Sequence, residues 1–263
     1  MLPDFELIQH KFPGGHDITI IPISDVHLGS PECMEQEFIK FIKTVEESPN
    51  VYLVLGGDLI DNGTRSSVTN PFRATIPPSA QKKEMAAILK PVADRILCIL
   101  PGNHEARSGK DADDDPCYDI AAKLDIEDRY RENIAFVKIQ LGKDTRNCAG
   151  WQRPCYVLAV VHGAGGGVLT GGVLNRAERF GYSMSGVDAL ILGHSHKPFT
   201  SQPGQIVVDP KNNLVSIKPF KVISMTSWLR FGGYAARKML LPTTHNLQTI
   251  TLRGSKKEMI VTL

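Results

Sequence analysis

Ile18-Thr19-Ile20-Ile21-Pro22-Ile23-Ser24 runs straight into Asp25-Val26-His27-Leu28-Gly29, and the reading of this passage decides the fold. Its first half is β-branched and aliphatic on both faces, the pattern of a strand buried between covering layers. Its second half sets a carboxylate and an imidazole where that strand ends. The arrangement recurs four times downstream. Residues 51–55 lead into Gly57-Asp58, 95–100 into Gly102-Asn103-His104-Glu105, 156–161 into His162-Gly163, and 187–192 into Gly193-His194-Ser195-His196. Helical patterns fill the intervals at 34–47 (Phe38, Phe41, Ile42 and Val45 on one face), 79–89 and 116–124, the last with Asp115 as cap and Pro116 in its first position. Strands alternating with helices imply an α/β fold with right-handed crossovers and a largely parallel sheet.

In such sheets ligands gather beyond the carboxyl ends of the strands, where each of the five clusters lies. Five of the eight histidines fall in these clusters. Carboxylate, imidazole and amide oxygen donors together suit divalent transition ions such as Mn²⁺, Fe²⁺, Ni²⁺ or Zn²⁺, whereas magnesium alone does not call for so many imidazoles.

The order DxH, GD, GNH[DE], H, GHxH over residues 18–196, about two thirds of the chain, resembles the calcineurin-like metallophosphoesterase superfamily. That resemblance implies a four-layer αββα sandwich of two mixed β-sheets flanked by helices, around a dinuclear metal centre. Asp25, His27, Asp58 and His196 would hold one metal, and Asp58, Asn103, His162 and His194 the other, with Asp58 bridging. Two cations about 3.5 to 4 Å apart would activate a shared water and clamp the phosphoryl oxygens. His104 would not ligate but would donate a proton to the leaving oxygen or stabilise the transition state. For Glu105 two roles stay open: orienting the His104 imidazole, or a surface salt bridge.

The motifs also narrow the branch. Gly57-Asp58-Leu59-Ile60-Asp61 is followed by Asn62-Gly63 rather than Arg-Gly, which argues against the phosphoprotein phosphatases. The DxHLG of residues 25–29 is similar to that of nuclease members, although those usually carry Asp where Glu105 stands. Lipid A pathway hydrolases share DxHL but place Arg at the position of His104. The whole resembles the phosphoesterases frequent in phage and prophage genomes, which implies a phosphodiesterase acting on nucleic acid or nucleotides, with a phosphomonoesterase or a non-catalytic scaffold as alternatives.

Composition is that of an ordinary globular chain, 42% apolar and 22% charged over 263 residues, and one domain over 1–263 is expected. The first ten residues lack a basic start followed by an apolar stretch, and no run is long enough to span a bilayer, so a cytoplasmic location without membrane attachment is expected. Five cysteines without CxxC spacing do not make a disulfide framework. Cys98 reads as core. Cys148 and Cys155 bracket a loop and read as free thiols, with a bridge or metal pair as the alternative.

Charge is uneven: residues 197–263 carry ten Lys/Arg against Asp209 and Glu258, which leaves the first 196 residues net acidic. A basic region beside an acidic metal site suits a polyanionic substrate. Short strand-like stretches in 197–263 read as a second, more antiparallel sheet. Residues 62–78 form an insertion that reads as a substrate lid bearing Arg65 and Arg73. Arg107 and Lys110 are candidates to meet a phosphate, and glycines 165, 166, 167, 171 and 172 to let backbone amides approach one. The acid run 111–115 reads as helix capping and solvated surface. Trp228, Phe231 and Tyr234 among Arg230, Arg237 and Lys238 read either as core with a basic rim or as a base-stacking surface. His10, His16 and His245 read as surface residues.

Overall fold

The computed structural model describes residues 3–65, 67, 70–142, 153–165 and 169–263. In chain order its elements are β1 (Ile8–Phe12), β2 (Ile18–Ile23), α1 (Glu35–Glu47), β3 (Val51–Leu55), α2 (Pro78–Leu89), β4 (Ile96–Ile99), α3 (Ala106–Ala112), α4 (Pro116–Lys123), β5 (Ile134–Leu141), β6 (Cys155–Val161), α5 (Thr170–Tyr182), β7 (Ala189–Leu192), β8 (Phe199–Ser201), β9 (Gly204–Asp209), β10 (Leu214–Pro219), β11 (Lys221–Ser224), α6 (Gly233–Arg237), β12 (Thr249–Leu252) and β13 (Met259–Thr262). Short 3₁₀ turns cover Pro71–Arg73 and Lys90–Arg95.

Two mixed sheets face each other. One runs β13-β12-β2-β3-β4, the other β1-β5-β6-β7-β11-β8. The alternation of side chains along a strand assigns each to a layer. Leu53 and Leu55 of β3 point outward to Phe38, Ile42 and Val45 of α1 and to Met85 and Leu89 of α2. Val54 between them points inward, joining Ile18, Ile20, Leu97, Val137, Leu158, Ile191 and Ile223 in the core between the sheets. On the far side, Val173 and Ala177 of α5 cover Ala159, Leu190 and Val222. The result is the four-layer αββα sandwich.

Two expectations are corrected. The five ligand-bearing strands do not share one sheet: β2, β3 and β4 pair in parallel in one, β6 and β7 in the other. Nor do residues 197–263 build a sheet of their own. β11 pairs in parallel with β7, β12 joins β2 antiparallel, and only β9 and β10 stand apart as a hairpin. The local pattern that marks a strand says nothing about its hydrogen-bond partner, so pattern alone does not assign these strands to their sheets. Trp228 is core, with Phe38 and Phe41 ring centroids 5.0 and 5.2 Å away, so it has no base-stacking face. Among the described residues, no helix is long and apolar enough to cross a membrane.

Candidate metal centre

Three of the five ligand-bearing loops place their ligands in left-handed backbone: Asp25, His27, Asp58, His194 and His196 have φ of 55°, 49°, 50°, 65° and 54°. Asp and His tolerate this region better than bulkier residues do, yet each still costs of order 1 kcal/mol or more, a strain that clusters at functional sites. Backbone bonds knit the loops together: Asp25 N donates to Gly57 O (3.0 Å), His27 N to Asp58 O (3.0 Å) and Gly193 N to His162 O (3.0 Å). Glycine is required where two of these loops touch, because a Cβ on Gly57 (φ +90°) would lie 2.4 Å from Gly102 N.

The structure brings the seven expected ligands and His104 together. Asp25 Oδ2 accepts from Ser24 Oγ (2.5 Å) and from His194 N (2.9 Å). Its Oδ1 is buried without a hydrogen bond of ordinary geometry, 3.1 Å from His196 Nε2 and 3.9 Å from His27 Nε2. Asp58 Oδ1 accepts from His104 N (2.8 Å), while Oδ2 faces His162 Nε2 at 3.3 Å, His27 Nε2 at 3.7 Å and His104 Nε2 at 3.9 Å. His162 Nδ1 donates to Gly56 O (2.8 Å), which turns Nε2 toward Asp58 and Asn103 Oδ1 (3.1 Å). Asn103 Oδ1 lies 2.7 Å from His194 Nδ1. Three trios have donor atoms within 4.8 Å of one another: Asp25, His27 and His196; His27, Asp58 and His104; Asp58, His162 and His194.

This donor set fits divalent cations. Asp25 Oδ1 and both ring nitrogens of His27 are buried with no hydrogen-bond partner, an arrangement that costs several kcal/mol unless a cation takes up the lone pairs. Burial, reinforced by the neighbouring His104, pushes the His27 pKa down to about 3, so its lone pair is free at neutral pH. Burial alone would raise both carboxylates. The neighbouring imidazoles together outweigh it: His196 and then His162 hold Asp25 at about 2, and His162, His104 and His27 hold Asp58 well below the ordinary carboxylate range. His162 in turn rises to about 10 against its burial, under the Asp58 and Asp25 charges. The pocket attracts positive charge.

Asp61 is the residue of this cluster to which the sequence assigns no role. Its carbonyl accepts from His104 Nδ1 (2.8 Å), and its Oδ1 lies 3.5 Å from the same nitrogen and 3.9 Å from His27 Nδ1. Burial opposes a proton on His104, but Asp61 and Asp58 prevail and raise its pKa. The signal was present as the last residue of Gly57-Asp58-Leu59-Ile60-Asp61. Glu105 takes neither of its two expected roles. Fully buried, it accepts from the backbone N–H of Asp58 (2.9 Å), Leu59 (2.7 Å), Ile60 (3.1 Å) and Gly102 (2.8 Å), binding the second ligand loop to the third.

The remaining candidates are scattered. Arg107 Nη1 donates to Ser67 Oγ (3.2 Å) of the insertion. Arg65 lines a surface cavity with Thr64 and Asp111, and Arg73 lines a different one that reaches Asp61. The insertion is tied back by Thr75 N to Gly29 O (2.9 Å) and by Asn62 Nδ2 to His104 O (2.7 Å). In the acid run, Asp115 caps α4 through Tyr118 N (2.9 Å) and Asp114 pairs with Lys82 (2.9 Å). Gly171 and Gly172 lie in the first turn of α5 rather than in a phosphate loop; Gly166, Gly167 and Cys148 lie outside the described residues. His10 is half-buried rather than a surface residue, bonded to Leu97 O at 2.8 Å.

Among curated relatives, the DNA polymerase II small subunit of Pyrococcus furiosus is 35% identical over 119 residues, and that of Pyrococcus abyssi 32% over 123. Each match covers 40% of this chain and 19% of the relative, so the chain spans only a minor part of those proteins. Among solved structures, the NAD nucleotidase of Haemophilus influenzae aligns with a TM-score of 0.41 and 11% identity over 94% of this chain and 49% of that one, a loose likeness. The model of the calcineurin-like phosphoesterase family matches residues 18–198, which hold every one of the converging ligands, and the chain belongs to that family.

Proposed function

We propose that this chain is a dinuclear metal-dependent phosphodiesterase acting on nucleic acid or nucleotides, with Mn²⁺ as the leading metal and Fe, Ni or Zn as alternatives. The observation that carries the reading is the pair of outer trios, Asp25-His27-His196 and Asp58-His162-His194, with Asp58 Oδ2 3.7 Å from His27 Nε2 of the other trio and buried acceptors left unpartnered between them. Asp25, His27, Asp58 and His196 would hold one ion, and Asp58, Asn103, His162 and His194 the second. Divalent ions bound there supply Lewis acidity toward phosphoryl oxygens and make water a nucleophile near neutral pH.

The chain's own groups do the rest. Asp61 anchors His104 through Nδ1, so the imidazole presents Nε2 toward Asp58, and its raised pKa keeps a proton available for a departing oxygen. Gly56 O and Asn103 fix the orientation of the His162 ring. A diester substrate is supported by Arg107 near the centre, by the basic last quarter of the chain, and by the names of the curated relatives, small subunits of a DNA polymerase.

The test is hydrolysis of bis-p-nitrophenyl phosphate and of p-nitrophenyl phosphate after Mn²⁺ loading, with metal content by mass spectrometry. Turnover of the diester is expected. Cleavage of the monoester alone would make the protein a phosphomonoesterase. Fewer than about one transition metal per chain after reconstitution would favour a partner-binding scaffold. Single-stranded and double-stranded DNA, RNA and cyclic nucleotides assayed side by side then identify the substrate.

A further inference from the structure

A cleft beside the centre joins parts of the chain more than 150 residues apart. Its lining brings Asp61, Asn70 and Arg73 together with Tyr234 and Arg237 of α6, and Glu32 lines it as well. Both parts are tied to the loop that follows the first ligand cluster. Thr75 N bonds Gly29 O on one side, and Arg230 N bonds Glu32 O (2.8 Å) on the other. Gly233, at φ +48°, lies so close to Glu32 that a Cβ there would meet Oε1 at 2.1 Å. Asn70 accepts from Phe72 N (3.0 Å) and caps the turn that carries Arg73.

The two guanidinium groups stand out from the chain's structural arginines. Arg95, Arg129, Arg131, Arg230 and Arg253 are each engaged by backbone carbonyls or carboxylates. Neither the Arg73 nor the Arg237 guanidinium makes a hydrogen bond or ion pair with another described residue. The local carboxylates do not neutralise them: Asp61 faces His104 and His27, and Glu32 accepts from Ser30 Oγ (3.1 Å). Two idle, forked donors beside a half-exposed tyrosine ring match a phosphate with an adjoining base, because guanidinium binds phosphate oxygens in pairs and a base stacks on any aromatic face.

We propose that this cleft is the subsite for the leaving-group nucleotide, with Arg73 and Arg237 on a phosphate beyond the scissile one and Tyr234 under a base. The assignment rests on the phosphodiesterase reading, because it is His104, backed by Asp61 at the cleft's edge, that protonates the departing oxygen. The substrate is thus a short or single-stranded polynucleotide rather than a diester with one phosphate.

The test compares wild type with the Arg73→Ala/Arg237→Ala double variant on tetrathymidylate and on bis-p-nitrophenyl phosphate in Mn²⁺. The double variant is expected to raise KM for tetrathymidylate about tenfold or more, leave the nitrophenyl diester within about twofold, and keep its melting temperature. Independently of metal, anisotropy of fluorescein-labelled octathymidylate in EDTA should show at least about fivefold weaker binding by the variant and a shallower salt dependence. Tyr234→Phe should bind like wild type and Tyr234→Ala more weakly. Unchanged KM and unchanged binding in the double variant would overturn the subsite even if the nitrophenyl diester is hydrolysed. If that diester is not hydrolysed by metal-loaded wild type, the phosphodiesterase reading falls, and the leaving-group assignment with it.

Discussion

Glu105 is the residue whose removal the structure predicts most sharply. It is 1% exposed and accepts four backbone N–H groups at 2.7 to 3.1 Å, three from residues 58–60 and one from Gly102. Glu105→Ala strands all four donors. Each unsatisfied buried donor costs about 1 to 3 kcal/mol, but relaxation and entering water recover part, so a net loss of about 3 to 5 kcal/mol is expected. Glu105→Gln is the more informative variant. An amide oxygen at the Oε1 position still accepts from Leu59 and Ile60, but the NH₂ group then faces the N–H groups of Asp58 and Gly102, donor against donor. A loss of about 2 to 4 kcal/mol follows for a swap that conserves volume. Urea unfolding in EDTA, followed by circular dichroism, measures both without contributions from bound metal. A Glu105→Gln variant within about 0.5 kcal/mol of wild type would refute the reasoning.

Other expectations concern the centre and its surroundings. Asp58→Ala should lose both metals, since Asp58 belongs to two of the three trios and its Oδ2 lies 3.7 Å from His27 Nε2 of the remaining one; retention of two metals by mass spectrometry would break the bridging assignment. His104→Ala should lower turnover of a diester with a poor leaving group by roughly 10² to 10⁴, with a smaller loss for nitrophenyl esters and metal content near normal, whereas equal losses for both substrates would remove the acid role. His10 supplies a pH signature away from the centre. Burial lowers its pKa below 6.5, against the Leu97 carbonyl that raises it. The unfolded chain therefore takes up this proton first as pH falls, and stability is lost from about 6.5 downward until the folded pKa is reached. His10→Gln should flatten that part of the profile in denaturant titrations between pH 7 and 5, and an unchanged slope would count against it.

Much of the site could be read from sequence because its donors are local to strand ends. A buried strand announces itself by its run of apolar residues, and the residues just after it are the loop that meets its neighbours in an α/β fold, so Asp25, His27, Asp58, Asn103, His162, His194 and His196 could be picked out without coordinates. Trp228 illustrates the opposite case. An aromatic among arginines reads equally as core or as a binding surface, and only the Phe38 and Phe41 rings against it decide.

By itself the sequence determined the five ligand-bearing strands and the helices α1, α2 and α4, the acidic and imidazole donors, and the basic character of the last quarter, because these depend on residue chemistry and short-range period. Only the tertiary structure decided that β11 and β12 leave for opposite sheets, that Asp61 rather than Glu105 holds the His104 imidazole, and that Arg73 and Arg237 face one cleft. Those outcomes rest on pairings and approaches between residues from 32 positions apart (Lys221 with Ala189) to 234 apart (Leu252 with Ile18), and no local pattern encodes which distant donor a given acceptor will meet.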